Sequence, residues 1–396
     1  MTVSAPHGLP APLFRLGFRP MFLVAALFAI VAIGAWGGTF AGWWGLTPYG
    51  GSYFWHAHEM LFGFVAAVVT GFLLTAVQNW TGVPGVKGKP LALLVLVWVV
   101  GRVLMWWGPG WPHWLVASLD LLFLPMVAGF MAYPLIKVSQ WRNLFFVPVL
   151  ALMTLANFLT HLSVISGEAH WFKQGSYLML MLVTLLMAVI GGRVIPMFTA
   201  NGTGTTKVLP IAWLDKAALL CIWLLVLNVL FGNLLPANVQ GLLCLLAGSL
   251  HLCRWWRWRV WLTLAVPLLW SLHIAYLFIP LGLLALAGHY LGDWLPQSTA
   301  AHLLTVGGMG GMIMAMMARV SLGHSGRPLQ PRPIMSLAFA LIFMAALVRT
   351  LGSWLLHQQI LTVFVLASIL WCLGFAIFTF VYWPVLTRPR VDGKPG

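Results

Sequence analysis

Residues 55–82, WHAHEMLFGFVAAVVTGFLLTAVQNWTG, decide the class of fold. His56, His58 and Glu59 open the stretch, and no further charged residue occurs before Lys87. At about 1.5 Å of rise per residue, the apolar run from residue 55 to residue 77 crosses roughly 30 Å of hydrocarbon as one α-helix. Ionisable groups at the mouth of such a segment are costly and call for a chemical reason.

The rest of the chain repeats this pattern. Of 396 residues, 61% are hydrophobic and only 7% are charged, whereas a water-soluble domain carries about a quarter charged. Apolar runs between Gly, Pro and charged breaks predict spans at 20–41, 55–77, 91–107, 114–133, 144–162 and 176–196, then 216–231, 238–253, 261–286, 301–320, 334–351 and 361–386. The fold class is therefore all-α: a polytopic membrane protein of about twelve transmembrane helices. The 23 Trp and 40 Gly fit interfacial belts and close helix contacts. The first nineteen residues lack the features of a cleaved signal peptide, so the first span is expected to stay in the protein.

The net charge of +15 is not arranged as a nucleic-acid-binding face. Lys and Arg cluster in alternate loops: Arg15 and Arg19, Lys87 and Lys89, Lys137 and Arg142, Lys207, the group Arg254, Arg257 and Arg259, then Arg327 and Arg332, and the C-terminal Arg388, Arg390 and Lys394. The opposite loops hold little besides Lys173, with Glu168 and Asp293. Because translocated positive charge is disfavoured, the basic loops and both termini are expected in the cytoplasm. This divides the chain into a cytoplasmic segment 1–19, one twelve-helix domain 20–386, and a cytoplasmic tail 387–396. Partners are then a lipid bilayer and a small molecule, with no nucleic acid. The four Cys have no CxxC spacing and read as buried apolar side chains.

An internal repeat emerges when HEMLFGFVAAVVTGFLLTAVQNWTGVP from His58 is set above HLLTVGGMGGMIMAMMARVSLGHSGRP from His302. Without a gap, His58 meets His302, Gly63 meets Gly307, Gly82 meets Gly326, and Pro84 meets Pro328. The following spans carry Arg102 and Arg349 near their outer ends, and GRV at 192–194 echoes ARV at 318–320. Spans two, six and ten then become equivalents in three four-helix units; chance alignment of Gly-rich apolar segments is the alternative.

Twelve His in a chain with six acidic residues are the main chemical clue, since imidazole binds Zn, Cu and haem iron. His56, His58, His161 and His302 fall at outer span ends and His273 nearer the middle. His251 and His324 fall at the inner edge, while His7 lies in the N-terminal segment. A single loop-edge His reads more readily as a hydrogen-bonded interfacial side chain. His58 and His302, at repeat-equivalent places, instead suit the axial ligands of a haem held between helices. The glycines after each His either let a flat macrocycle approach or serve helix packing. Arg102 and Arg349 either pair with haem propionates or snorkel to the interface. Glu59 is placed to orient the His58 ring, and Asp120 either pairs with an Arg or approaches the interface. The Met309–Met317 run reads as packing. No Walker loop, GxGxxG after a strand, HExxH or Ser–His–Asp order occurs.

Several segments together resemble the NnrS family: LFRLGFRPMF at 13–22, WHAHEMLFGF at 55–64, GFLLTAVQNWTG at 71–82, RNLFF at 142–146, GGRVIPMFTAN at 191–201, and the run HLLTVG…MMARVSLGHSGRP from His302. The resemblance implies a haem- and copper-containing protein of the bacterial inner membrane, linked to denitrification and to resistance against nitric oxide. The haem would be of the b type. The motif histidines implied as metal ligands are His56, His58, His161, His273, His302 and His324, with His251 less secure. A looser likeness is to the catalytic subunit of haem–copper oxidases and nitric oxide reductases, where three four-helix arcs form twelve spans and spans two and ten hold a haem. The departures are AAH at 300–302, in place of two His around one residue, and a seventh span without His. Copper would then use another set, with His56, His161 and His273 expected on the outer side and His324 offered for an inner site. Cofactor-binding residues are expected to be His58, His302, Arg102 and Arg349. Rival classes are a membrane transporter with a midplane site and a non-catalytic haem-based sensor or assembly protein. Whether the chain is an enzyme stays open.

Overall fold

A computed structural model describes residues 10–394; residues 1–9, which include His7, and 395–396 lie outside it. The described residues form twelve long helices that match the predicted spans one for one. They are α1 (Phe18–Phe40), α2 (Ser52–Thr81), α3 (Lys89–Trp107), α4 (His113–Lys137), α5 (Trp141–Ser166) and α6 (Ala169–Thr203), followed by α7 (Ala212–Leu230), α8 (Ala237–Arg257), α9 (Pro267–Gly292), α10 (Gln297–His324), α11 (Ile334–Leu355) and α12 (His357–Thr387). Eleven are long and apolar enough to cross a membrane. The exception, α8, has the length at 21 residues but carries Gln240, His251, Arg254 and Arg257. It hides much of that polarity against α7 and α9.

The two ends of the chain meet at the basic end of the bundle. Arg19, fully buried, donates to the carbonyls of Leu386 (3.0 Å) and Arg388 (2.7 Å). Val391 N–H donates to Ser325 O at 3.2 Å, and Arg390 Nη1 to His324 O at 2.8 Å. Buried guanidinium and carbonyl groups need such partners in an apolar bundle.

Three four-helix arcs are visible in the packing. Helix α4 packs on α5, α8 on α9, and α12 returns to α1, so the arcs close a ring. Helices α2, α6 and α10 meet one another at its centre, as the repeat predicts. The register of the repeat is visible in the backbone too. Both α2 and α10 widen into a π-helical segment immediately after the aligned His, over Glu59–Val65 and Leu303–Gly310. The aligned Gly82 and Gly326 both adopt left-handed φ, +70° and +74°, a conformation that disfavours any residue with a Cβ. Helix α6 shares the central position but has no π segment.

The glycines after each His serve helix contact. A side chain on Gly63 would meet Arg102 and Phe28; one on Gly307 would meet Phe278, and one on Gly311 would meet Phe343. None of them borders the cavity described below. The Met run is packed in the core, Met309, Met314 and Met317 being almost fully buried. Of the four free Cys, Cys221 and Cys244 are buried and Cys372 partly so. Cys253, near the basic end of α8, is exposed, contrary to the expectation for all four.

Candidate functional site

A cavity of about 500 Å³ lies at the end of the bundle away from the basic loops, between the mouths of α2, α6 and α10 and the far end of α11. That volume is within the range of small-molecule and cofactor sites. His56 and His302 face each other across it. Their ring planes are 7° from parallel and their centroids 6.5 Å apart. A metal bonded at about 2 Å to one nitrogen of each ring would set two imidazole centroids roughly 6 Å apart, so the separation leaves room for a shared metal.

Each ring is held in place. Trp36 stacks on His56 at 4.3 Å and 9°. His302 donates its Nδ1–H to Ser298 O at 2.6 Å, which leaves its Nε2 with a free lone pair. His56 Nδ1, Ser176 Oγ and Trp371 Nε1, all on residues of the cavity wall, are buried without a hydrogen-bond partner. Such groups carry a desolvation cost of about 1–3 kcal/mol each until a ligand satisfies them. Arg349 and Lys173 supply positive charge, and no carboxylate among the described residues lines the cavity. Arg349 donates to Ser353 Oγ (3.1 Å) and sits 4.4 Å over the Phe364 ring. The lining could hold a mostly apolar, anionic group, with His56 and His302 as candidate metal ligands.

His58 is elsewhere, and the expected His58–His302 pair is not assembled. Successive helical residues turn by about 100°, so His56 and His58 point to opposite sides of α2. His58 enters a buried network among α2, α3, α4 and α5. It donates Nδ1–H to Glu59 Oε1 at 3.0 Å and faces Asn157 Oδ1 at 2.8 Å with Nε2. Asp120 Oδ2 lies 3.4 Å from His58 Nε2 and 3.1 Å from His161 Nε2, and accepts from Asn157 Nδ2 at 2.8 Å. Arg102 forms ion pairs with both Glu59 and Asp120. Its guanidinium is thus occupied by two carboxylates of the chain, and Arg102 neither borders the cavity nor snorkels outward. The expected roles of Glu59 as orienter of His58 and of Asp120 as partner of an Arg are both realised.

The expected copper trio is not assembled either. His161 belongs to the His58 network, while His56 faces the cavity. His273 sits six residues into α9, about 9 Å from the basic end, and pairs through Nε2 with Thr199 Oγ1 at 2.8 Å. It therefore occupies the opposite half of the bundle from His56 and His161. His324 closes α10 at the basic end, its ring 5.8 Å from Phe18. His251 has both nitrogens engaged, donating to Ala218 O (3.2 Å) and accepting from Tyr276 (2.8 Å), beside the Arg254–Asp215 ion pair.

The NnrS protein family model matches residues 12–390, nearly the whole chain. The chain belongs to the NnrS family. No curated protein matches it. In this NnrS chain the family-like segment WHAHEMLFGF thus supplies two different places, His56 to the cavity and His58 with Glu59 to the buried network. The sequence reading missed the partnership of His56 with His302, and the places of Trp36, Ser176 and Asn157. The H-x-H spacing of residues 56–58 was the available signal for the first, because two residues apart on a helix cannot share a face. The others are common residue types whose meaning comes only from packing.

Proposed function

We propose that this NnrS-family chain is a haem- and copper-binding multi-pass protein of the bacterial inner membrane that handles nitric oxide and so protects against nitrosative stress during denitrification. The observation that carries the haem reading is the parallel His56–His302 pair across a cavity whose charged groups are all positive. His56 and His302 would hold a b-type haem, with Arg349 and Lys173 against its propionates. Bound there, the haem would supply iron that exchanges electrons with nitric oxide.

The chain's own residues do the rest. The Ser298 carbonyl fixes the His302 tautomer, so that Nε2 faces the cavity. Trp36 fixes the plane of His56. Met60, Phe64, Leu180 and Trp371 make the inner walls apolar, and low polarity strengthens charge contacts there. An uncharged diatomic such as nitric oxide dissolves in the bilayer and reaches such a cavity between the helices. Copper is proposed as a second metal, although His56, His161 and His273 do not come together to bind it.

The test is an absorption spectrum and iron analysis of protein purified in detergent from haem-replete cells. A Soret band, stoichiometric iron and a spectral shift on adding nitric oxide are expected. Protein with neither a Soret band nor iron would overturn the reading.

A further inference from the structure

We infer that His58 Nε2, His161 Nε2 and Asp120 Oδ2 form a binding site for a divalent first-row transition metal, separate from the His56–His302 cavity. The three ligand atoms come from α2, α5 and α4, are fully or almost fully buried, and lie within 4.8 Å of one another. The two measured nitrogen–oxygen separations, 3.4 and 3.1 Å, bracket the edge of about 3.3 Å expected between donors bonded at about 2.0–2.1 Å to a tetrahedral ion.

The surroundings are those of a ligand set. Each imidazole has its other nitrogen taken: His58 Nδ1 by Glu59 Oε1 at 3.0 Å and His161 Nδ1 by Tyr49 Oη at 3.3 Å. Such partners fix the tautomer and aim Nε2 at the metal. Arg102 binds Asp120 through Oδ1, and Oδ2, which accepts from Asn157 Nδ2 at 2.8 Å, keeps a second lone pair for the ion. Asn157 Oδ1 now hydrogen-bonds His58 Nε2 at 2.8 Å, a contact that the metal would replace.

Charge points the same way. Glu59 and Asp120 bring two buried negative charges against the single positive charge of Arg102, and Glu59 Oε2 is buried with no partner. A buried anionic excess needs a cation. Two imidazoles with carboxylate oxygen, and no thiolate, suit Zn(II), Cu(II) or Fe(II) rather than Ca(II) or a thiophilic ion. The rival cation is a second proton on His58, and the experiment separates the two.

Detergent-purified protein, as isolated, is treated with chelator and titrated with Co(II), then with Zn(II) in competition, and bound metal is measured by mass spectrometry. One equivalent per chain is expected in the wild type, with a Co(II) visible spectrum of low coordination number. His161→Gln and Asp120→Asn should lose it. Tyr49→Phe, which spares the ligands, should weaken binding about tenfold or more. His302→Ala should keep the metal while losing any haem, so the two sites fail separately. A wild type that binds no Co(II) overturns the proposal in favour of the proton, as does a His161→Gln that binds with unchanged affinity. Should His161→Gln and Asp120→Asn aggregate, Cu(II)-loaded wild type decides: pulsed EPR showing two coordinated imidazoles is expected, and none would overturn the site.

Discussion

His56 and His302 face one another from the mouths of two central helices, with ring planes 7° apart and centroids 6.5 Å apart. His58, two residues further along α2, turns into a different environment and hydrogen-bonds Glu59 and Asn157. The division of this HxH motif between two sites sets the first expectation. His56→Ala and His302→Ala should each lose the six-coordinate low-spin haem spectrum, whereas His58→Ala should retain the Soret band. Equal loss in all three variants, with the protein still monodisperse, would place the haem elsewhere.

The twelve helices were legible because hydrocarbon thickness and loop charge each constrain them independently, and one miscounted span would have broken the alternation of Arg15, Lys87, Lys137, Lys207, Arg254, Arg327 and Arg388. The repeat was legible as identities at fixed spacing, and the π segments after His58 and His302 repeat it in backbone geometry. The pairing of ligands was not, because equivalence in sequence is not juxtaposition in space. His58 and His302 are equivalent, yet α2 presents its cavity face through His56. Arg102 and Arg349 show the same divergence. One is neutralised by Glu59 and Asp120, and the other is left facing the cavity. His273, expected nearer the middle of its span, lies six residues into α9, toward the basic end.

Arg349 is expected to retain haem rather than to ligate it. Arg349→Gln removes a cation from a cavity that no carboxylate among the described residues lines. The six-coordinate spectrum should persist, but transfer of haem to an acceptor protein should speed up about tenfold, the equivalent of one charge-assisted contact of about 1.4 kcal/mol or more. Arg349→Lys should fall between the two. A transfer rate unchanged in Arg349→Gln would remove the residue from the site.

Two adjacent glycines in α10 should respond in opposite ways to an added methyl. On Gly307 it would run into the Phe278 ring, whereas on Gly308 the nearest atom is Met187 Cε at 3.6 Å. Gly307→Ala is therefore expected to destabilise by about 1–3 kcal/mol through overpacking. Gly308→Ala should be neutral or gain up to about 1 kcal/mol from reduced backbone freedom in the unfolded chain. Thermal melts of the two variants in one detergent make the comparison, and a Gly307→Ala melting at or above wild type would contradict the helix-contact role.

The largest single loss of stability is expected at Arg102. Its guanidinium joins α3 to Glu59 of α2 and Asp120 of α4, inside a bundle where neither carboxylate reaches water. Removing one partner of a buried ion pair leaves the others uncompensated and costs about 3–5 kcal/mol. Arg102→Met should therefore lower the melting temperature more than Arg349→Met, whose side chain has no carboxylate partner to strand. The sign can be checked internally. Adding Glu59→Gln to Arg102→Met removes one of the stranded charges and should recover part of the loss, because the cost lies in the unpaired carboxylates and not in the missing Arg contact itself. Strict additivity of Arg102→Met and Glu59→Gln in the melts would mean that the two side chains are not coupled, and the network around His58 would then have to be drawn without Arg102.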